Sequence, residues 1–293
     1  MPPVFASPVP SPFCGSAVAL ATRHGKERAL ARPFRRALGI ELQRVESFDT
    51  DTLGTFCGER ERPAGPSQTC RIKAQCALEI SGLSYALASE GSFGPHPTAP
   101  FLPLAQEWLV FLDQGRDLAI EERLVGCPTN FDHHLCRPEE DPSPWLARIG
   151  FPSHAVIVRP RHPGQPGEAV TKGLRDFAAV REAIQRASQA SADGLAQLET
   201  DMRADRNPTR MAAIRRLGVK LVRRLATPCP CCGAPGWGVL ERPLGLPCAW
   251  CRTPTDLARG EIHGCVVCGH RQERPRPDGL VTADPGRCGF CNP

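Results

Sequence analysis

Short strand-like segments alternate with stretches of helical periodicity in the N-terminal part of the chain. Apolar or alternating residues occupy 17–21, 40–45 and 85–88, and the polar or glycine-containing segments that follow them indicate strands. Between these strands, 26–38 and 67–81 place apolar residues at three- and four-residue steps, and both stretches stop at a glycine. The alternation predicts an α/β fold, a mixed sheet with flanking helices.

Further along the chain, the same criteria predict a glycine-rich turn, a hairpin, a strand and two helices. These elements lie at 89–95, at 108–112 with 118–122, at 155–158, at 171–188 and at 211–225. The last helix is amphipathic, and residues 201–224 hold eight basic side chains against Asp201 and Asp205. Two interpretations of this helix stay open: a face that binds phosphates, or a packed helix with a solvated basic back.

The composition divides the chain into three segments. Residues 1–14 are rich in proline and predict an unstructured tail. The alternating elements define an α/β domain over 15–225, and residues 226–293 are rich in cysteine, proline and glycine. So short a segment has too little apolar core to fold without additional links, so we expect bound metal there.

Eight of the 15 cysteines form four CxxC pairs in the last segment. The pairs are Cys229/Cys232, Cys248/Cys251, Cys265/Cys268 and Cys288/Cys291. Fifteen residues separate the first pair from the second, and 19 separate the third from the fourth, which is typical of four-cysteine zinc sites. The spacing predicts a small zinc-ribbon domain with two structural Zn²⁺ ions, each bound by two consecutive pairs. An interleaved cross-brace is the alternative.

A disulfide framework is the other interpretation of these cysteines. Disulfide scaffolds are usually short, secreted and preceded by a signal peptide. This chain has 293 residues, an odd number of cysteines, and a start with neither a basic region nor a long apolar run. We therefore expect zinc-bound thiolates and a cytoplasmic location, with Trp237 and Trp250 forming small aromatic cores beside the metals.

Charge and hydropathy exclude some partners. No segment approaches the roughly 20 apolar residues of a membrane-spanning helix, so no membrane partner is expected. The net charge is +5, and only four of the 36 basic residues are lysines, which indicates a compositional bias towards arginine. Two zinc–tetrathiolate centres would make the last segment acidic, which argues against it as a DNA-binding domain on its own.

Three polar segments should meet at one edge of the predicted sheet. Thr22-Arg23-His24-Gly25-Lys26 joins a strand to a helix, where backbone N–H groups, the helix dipole and a lysine can bind phosphate. Asp49 and Asp51 lie in a loop after the next strand, and their carboxylates suit magnesium. Glu90 follows an apolar strand, near the strand ends at which open α/β sheets bind ligands.

These segments also carry a resemblance to a known family. AVALATRHGK, the helix with Lys73-Ala74, and GLSYALASEGSFG resemble the inosine-triphosphatase type of nucleoside-triphosphate pyrophosphatase, which removes non-standard purine nucleotides. That family has a T-G-N-x-G-K loop, a KA pair in its second helix, and an apolar strand leading into D-D-S-G or, in some relatives, E-G-G. The resemblance covers about residues 17–95. The whole chain is also similar to an uncharacterised bacterial family with a double CxxC tail.

The resemblance implies a role for each matched position. Lys26 and Lys73 would hold the triphosphate, and Glu90 would act on a catalytic Mg²⁺ or on the attacking water. Asp49 and Asp51 would substitute for the acidic residues that the family has and this chain lacks. The remaining candidates for binding the nucleotide are Thr22, Arg23, His24, Ser89 and Ser92.

Two functional hypotheses follow. The first is a magnesium-dependent pyrophosphatase of non-standard nucleoside triphosphates that carries a structural zinc ribbon. The second is a non-catalytic zinc protein whose ribbon binds a protein or RNA partner. The order of the motifs favours the enzyme, whereas the missing acidic residues favour the non-catalytic protein.

Overall fold

The computed structural model describes residues 11–49, 64–165 and 167–293, which contain five α-helices and twelve strands. The helices are α1 (Glu27–Leu38), α2 (Pro66–Ser81), α3 (Ser143–Ile149), α4 (Phe177–Gln189) and α5 (Pro208–Leu225). The first six strands are β1 (Ala17–Ala21), β2 (Glu41–Arg44), β3 (Tyr85–His96), β4 (Ala99–Asp113), β5 (Leu118–Val125) and β6 (His133–Cys136). The others are β7 (Val156–Pro160), β8 (Thr171–Leu174), β9 (Ala196–Thr200), β10 (Gly238–Glu241), β11 (Gly260–Gly264) and β12 (Arg271–Pro275).

The first sheet has the order β2-β1-β3-β4-β5. Strands β2, β1 and β3 run parallel, and β3, β4 and β5 are antiparallel neighbours, so the sheet is mixed. Alternate residues of β1 face opposite layers: Leu20 packs with α1 and α5, whereas Ala19 packs with α2. Helices thus cover both faces, which confirms the α/β class predicted from the alternation.

The described part of the predicted tail is folded. Phe13 is fully buried, and its ring lies 5.7 Å from the ring of Tyr85 and 5.2 Å from that of Phe111, both in edge-on contacts. The prediction of an unstructured tail over residues 1–14 is therefore wrong at its end, because one aromatic side chain gains enough burial to fix this segment. Residues 1–10 lie outside the described residues.

Two element predictions are wrong for local reasons. The glycine-rich turn predicted at 89–95 belongs to β3, whose register with β4 continues from Tyr85 to His96. Gly91 and Gly94 keep negative φ there, as extended backbone requires. The helix predicted over 171–188 begins only at Phe177, after β8, because Asp176 caps it by accepting a hydrogen bond from the Ala179 N–H.

A second sheet lies within the segment predicted as one α/β domain. Its order is β6-β9-β7-β8, with all neighbours antiparallel, and it has its own core with α3 and α4. The chain then returns in α5, which packs against α1 and β5 of the first sheet. The region 15–225 therefore contains two sheets with separate cores. Among the described residues, no helix is both long and apolar enough to cross a membrane.

The cysteine-rich segment is docked onto the first sheet. Gly236 has a φ of 96°, and a Cβ at this position would lie only 2.1 Å from Cδ1 of Ile120 on β5. Arg224, near the end of α5, donates from Nε to the Gly236 carbonyl at 3.1 Å and from Nη1 to Glu122 at 3.0 Å. The strands β10, β11 and β12 form a small antiparallel sheet beyond this contact.

Candidate functional site

Lys26 lies where β1 gives way to α1, at the position predicted for a phosphate-binding lysine. Its side chain is buried, and its Nζ donates a hydrogen bond to the Ser89 carbonyl of β3 at 3.0 Å. The residue is also the N-cap of α1, so its ammonium lies at the positive end of that helix. The parallel pairing of β1 with β3 brings these two segments together.

Lys73 and Glu90 form a buried ion pair beside Lys26. The Lys73 Nζ lies 2.7 Å from Glu90 Oε2, and the two side chains are only 8% and 4% exposed. Lys73 comes from α2 and Glu90 from β3, because the α2 layer packs directly on this strand. The structure therefore brings together the three residues to which the sequence assigned the central roles.

A second buried ion pair lies across the same strand and was missed by sequence reasoning. Arg210 of α5 donates from Nε to Glu107 Oε1 at 2.6 Å, and both side chains are fully buried. The pair fits because Gly91 lies opposite Glu107 in the ladder, where a Cβ would come within 2.5 Å of Arg210 Nη2. A carboxylate inside the apolar run of β4 was the available signal for Glu107.

The cluster holds more positive than negative charge among the described residues. Lys26, Lys73 and Arg210 are opposed by Glu90 and Glu107. Burial, followed by repulsion from Arg210, lowers the pKa of Lys26 to about 8, although both carboxylates act in the opposite direction. An anion placed beside Lys26 would oppose both effects and stabilise its charged form.

Two hydroxyls at the same place have no hydrogen-bond partner within the described residues. Thr22 Oγ1 and Ser89 Oγ are both buried, one in the loop after β1 and the other on β3 beside Glu90. Buried hydroxyls in folded proteins are nearly always hydrogen-bonded, to protein or to a bound molecule. Ser89 also supplies the carbonyl that accepts the hydrogen bond of Lys26, and Thr22 lies in the loop that leads to Lys26, so these two hydroxyls are candidates for holding a small polar ligand.

The other predicted site residues lie further out. Arg23 forms a half-exposed ion pair with Asp49 at 2.5 Å, and His24 Nδ1 lies 3.6 Å from Asp205 Oδ1. Ser92 is half-buried on β3. Neither Asp49 nor Glu90 belongs to a group of three or more metal-ligating side chains among the described residues.

Asp51, the remaining predicted magnesium ligand, falls in the stretch 50–63, which lies outside the described residues.

The eight cysteines of the CxxC pairs form two groups, and the groups are interleaved. One contains Cys229, Cys232, Cys265 and Cys268, and the other contains Cys248, Cys251, Cys288 and Cys291. The prediction that consecutive pairs share a metal is therefore wrong, and the cross-brace alternative holds.

Strand pairing explains the interleaved arrangement. The first pair precedes β10 and the third follows β11, and the antiparallel register of these strands sets Gly238 opposite Gly264. Similarly, a parallel bridge between Cys248 and Ala283 brings the second pair to the fourth. The spacing of the CxxC pairs is compatible with both consecutive and interleaved groups. The antiparallel pairing of β10 with β11 allows only the interleaved groups.

Both groups have the geometry of a tetrahedral metal site. In the first group, Cys229 and Cys268 are 3.8 Å apart at Sγ, and Cys232 and Cys265 are 3.7 Å apart. The corresponding distances in the second group are 3.9 and 3.5 Å. Four sulfurs at about 2.3 Å from one zinc ion are about 3.8 Å from each other, whereas a disulfide needs about 2.05 Å.

The two tryptophans of this segment differ from each other. Trp237 is buried beside Cys229 and Cys265, and its ring stacks on His270 at 5.4 Å, as expected for a small aromatic core. Trp250, by contrast, is 77% exposed, so the expectation that it forms a core is wrong. Its position within a two-residue CxxC turn leaves no layer above it to cover the ring.

Comparison with family models gives a match over residues 73–293 to a family described as "Domain of unknown function (DUF6671)". Comparison with the curated proteins gives no match. The matched segment includes Lys73, Glu90, Glu107, Arg210 and all four CxxC pairs, and it begins after the strand and helix that carry Lys26.

Proposed function

The chain belongs to the DUF6671 family, and we propose that its first sheet carries a magnesium-dependent nucleoside-triphosphate pyrophosphatase site. The observation that carries this proposal is the convergence of Lys26, Lys73 and Glu90 at one buried place, in segments that also carry two buried hydroxyls without a hydrogen-bond partner among the described residues. The resemblance to inosine-triphosphatase-type enzymes names these same three residues. Their proximity in the fold supports this proposal.

Lys26 is the phosphate ligand in this proposal. An ammonium has three N–H donors, and Lys26 uses one of them, towards the Ser89 carbonyl, within the described residues. Phosphate oxygens would accept the other donors, together with the hydroxyls of Thr22 and Ser89. Because the cluster has one cation in excess, a bound phosphate would stabilise it by balancing the charge.

Glu90 is the carboxylate of the proposed site. Magnesium is commonly bound by one or two carboxylates together with the phosphates of the substrate, and Glu90 would be this protein ligand. The metal, when bound, would neutralise charge developing on the phosphates. The Lys73 ammonium holds Glu90 in place through an ion pair of 2.7 Å. When a substrate binds, this ammonium would turn towards a phosphate oxygen.

Water attack on the α-phosphorus would break its bond to the bridging oxygen and release pyrophosphate and a nucleoside monophosphate. Where Glu90 does not bind the metal, this buried carboxylate would instead take the proton of the attacking water. The burial of Lys26, Lys73 and Glu90 would exclude other water from the reaction.

We also propose that both cysteine groups hold Zn²⁺ and that the sites are structural. The distances between sulfurs fit zinc, and four thiolates leave no position open for a substrate. Reduced thiols in this number fit a cytoplasmic protein. Because the segment around them has a small core, metal binding and folding would be one process.

The test is pyrophosphate release from standard and non-standard nucleoside triphosphates in the presence of magnesium. Glu90→Gln should abolish release. Asp113→Asn is a matched control, since Asp113 is also a buried, ion-paired carboxylate but lies at the other end of β4, opposite Tyr85. If neither the wild-type protein nor the control releases pyrophosphate from any nucleotide while both metals remain bound, the enzyme hypothesis fails and the non-catalytic hypothesis is favoured.

A further inference from the structure

A groove of about 780 Å³ separates the first sheet from the cysteine-rich segment. Its walls come from α2, β5 and α5 on one side, and from β10 and β11 on the other. We call it the basic groove, because six cationic side chains line it: Arg71, Arg123, Lys220, Arg223, Arg224 and Arg242. None of these residues belongs to the cluster around Lys26, so the groove is a separate site.

The basic groove has an excess of positive charge. Six cations face three carboxylates, Glu121, Glu122 and Glu241, which leaves a formal charge of +3. A zinc–tetrathiolate centre of charge −2 at the neighbouring cysteine group would reduce this excess without cancelling it. The groove therefore attracts an anion in either state.

Some of the six cationic side chains of the basic groove already form ion pairs with its carboxylates. Glu122 pairs with Lys220 at 2.7 Å and with Arg224 at 3.0 Å, and Glu121 lies 3.4 Å from Arg71. Arg242 is paired with a carboxylate outside the groove, at 2.7 Å. These ion pairs fix the walls and leave the remaining guanidinium groups available.

Arg123 and Arg223 are those remaining groups. Both are exposed, and neither forms an ion pair or a side-chain hydrogen bond within the described residues. They lie close together because Lys220, one turn before Arg223, donates a hydrogen bond to the Arg123 carbonyl at 3.1 Å. Two unpaired guanidinium groups beside an open groove are suited to bidentate contacts with phosphates.

The positive charge continues along α5 beyond the groove. Arg216, Lys220 and Arg223 are separated by four and three residues, so they lie on one face of the helix. Seven residues of helix span about 10 Å, which is more than one phosphate group can contact. The ligand that matches this surface has several phosphates along its length.

We propose that the basic groove and the adjoining face of α5 bind single-stranded RNA through its phosphates. A nucleic-acid strand carries a charge at every nucleotide, whereas an acidic peptide must place its carboxylates to match and would face three carboxylates in the walls. Contacts of this kind position a strand without reading its sequence. The proposal also gives the basic back of α5 a role besides solvation.

The test is fluorescence anisotropy of a labelled oligouridine with the zinc-loaded protein, at salt concentrations between about 50 and 200 mM. The double variant Arg123→Gln/Arg223→Gln should make the negative slope of log K against log salt shallower by about 1.4, about 0.7 per lost phosphate contact. This change corresponds to roughly 25-fold weaker binding at about 0.1 M salt. Arg35→Gln/Arg36→Gln is the matched control, since it removes two exposed arginines from the last turn of α1.

Three results would overturn the proposal. The first is the absence of RNA binding at the lowest salt, and the second is an equal loss in both double variants. The third is displacement of the RNA by an oligoglutamate peptide or by ATP at equal charge concentration, which would identify a protein or a free nucleotide as the ligand. Pyrophosphate release should be unchanged in Arg123→Gln/Arg223→Gln, which separates this site from the proposed hydrolase.

Discussion

Replacing Cys265 by serine should remove one ligand from only one of the two proposed metal sites, and the structure identifies that site. The groups are interleaved, so the variant should damage the site that contains Cys229, Cys232 and Cys268. The other group shares none of its ligands with this site. Consecutive pairing predicts a different outcome, because Cys265 would then share its metal with the fourth pair.

The size of the effect follows from the cost of one ligand. A structural zinc site contributes an apparent binding free energy of about 10–16 kcal/mol, so each of four thiolates accounts for about 2.5–4 kcal/mol. Loss of one thiolate should therefore weaken zinc binding by roughly two to three powers of ten. The affected site would empty in the presence of a moderate chelator, while the intact site keeps its metal.

Two measurements on the same sample check this prediction. Native mass spectrometry should find one zinc ion in Cys265→Ser and two in the wild type. Alkylation followed by peptide mapping should then find Cys229, Cys232 and Cys268 reactive and the four cysteines of the other group protected. Cys231→Ser is the control, because Cys231 lies between Cys229 and Cys232 of the affected site but belongs to neither group. This variant should keep both ions.

The alkylation pattern can refute the assignment. If Cys229 and Cys232 stay protected in Cys265→Ser while Cys288 and Cys291 react, consecutive pairs share the metals and the strand register described for β10 and β11 is incorrect. Loss of both ions at once would contradict the independence of the two sites.

Three further predictions concern the sheet and its neighbours. Gly236→Ala should reduce the melting temperature much more than Gly233→Ala, because both have positive φ but only the Cβ added at Gly236 would meet another side chain, Ile120, at 2.1 Å. Gly91→Ala should lower the free energy of unfolding by about 3–5 kcal/mol in chemical denaturation, since it displaces a buried ion pair, whereas Gly94→Ala has open space. The pKa of Lys26 falls from 10.5 to about 8 on folding, so the unfolded chain binds more protons between these pH values. The free energy of unfolding should therefore rise across this window by up to about 3 kcal/mol, and subtracting the curve of Lys26→Met should isolate the effect.

The fold class could be predicted because the helices and strands that define it form from residues close together in the sequence. The strand at 17–21, the helix after it and the hairpin around Gly115 follow from apolar periodicity and glycine positions, and the structure has each of them. The separation of residues 15–225 into two sheets did not follow, because α5 returns to the first sheet only after the second is complete. Nothing in a short window of sequence indicates such a return.

Part of the candidate site could likewise be predicted from the sequence, and part could not. Lys26, Lys73 and Glu90 could be placed together because each follows or flanks an element of one βαβ pattern. The Arg210–Glu107 pair joins residues 103 positions apart, and its partner choice depends on the register of β3 with β4. The order of metal ligands failed for a related reason: spacing limits the loop length, and only strand pairing decides which loops meet.

Because the two cysteine groups are interleaved, the order in which the CxxC pairs are synthesised affects which of them can first bind a metal together. As the chain grows, Cys229, Cys232, Cys248 and Cys251 emerge before any other CxxC pair, and their spacing allows them to take up one zinc ion together. Such an early complex would contain two ligands of each final site, so it would have to dissociate before β10 and β11 could bring the correct pairs together. The second group is completed only by Cys291, its last member along the chain. A slow ribosome or a high free-zinc concentration would therefore favour the wrong ligand set, and a chain that lacks both Cys288 and Cys291 would keep only two thiolates of the second group, Cys248 and Cys251.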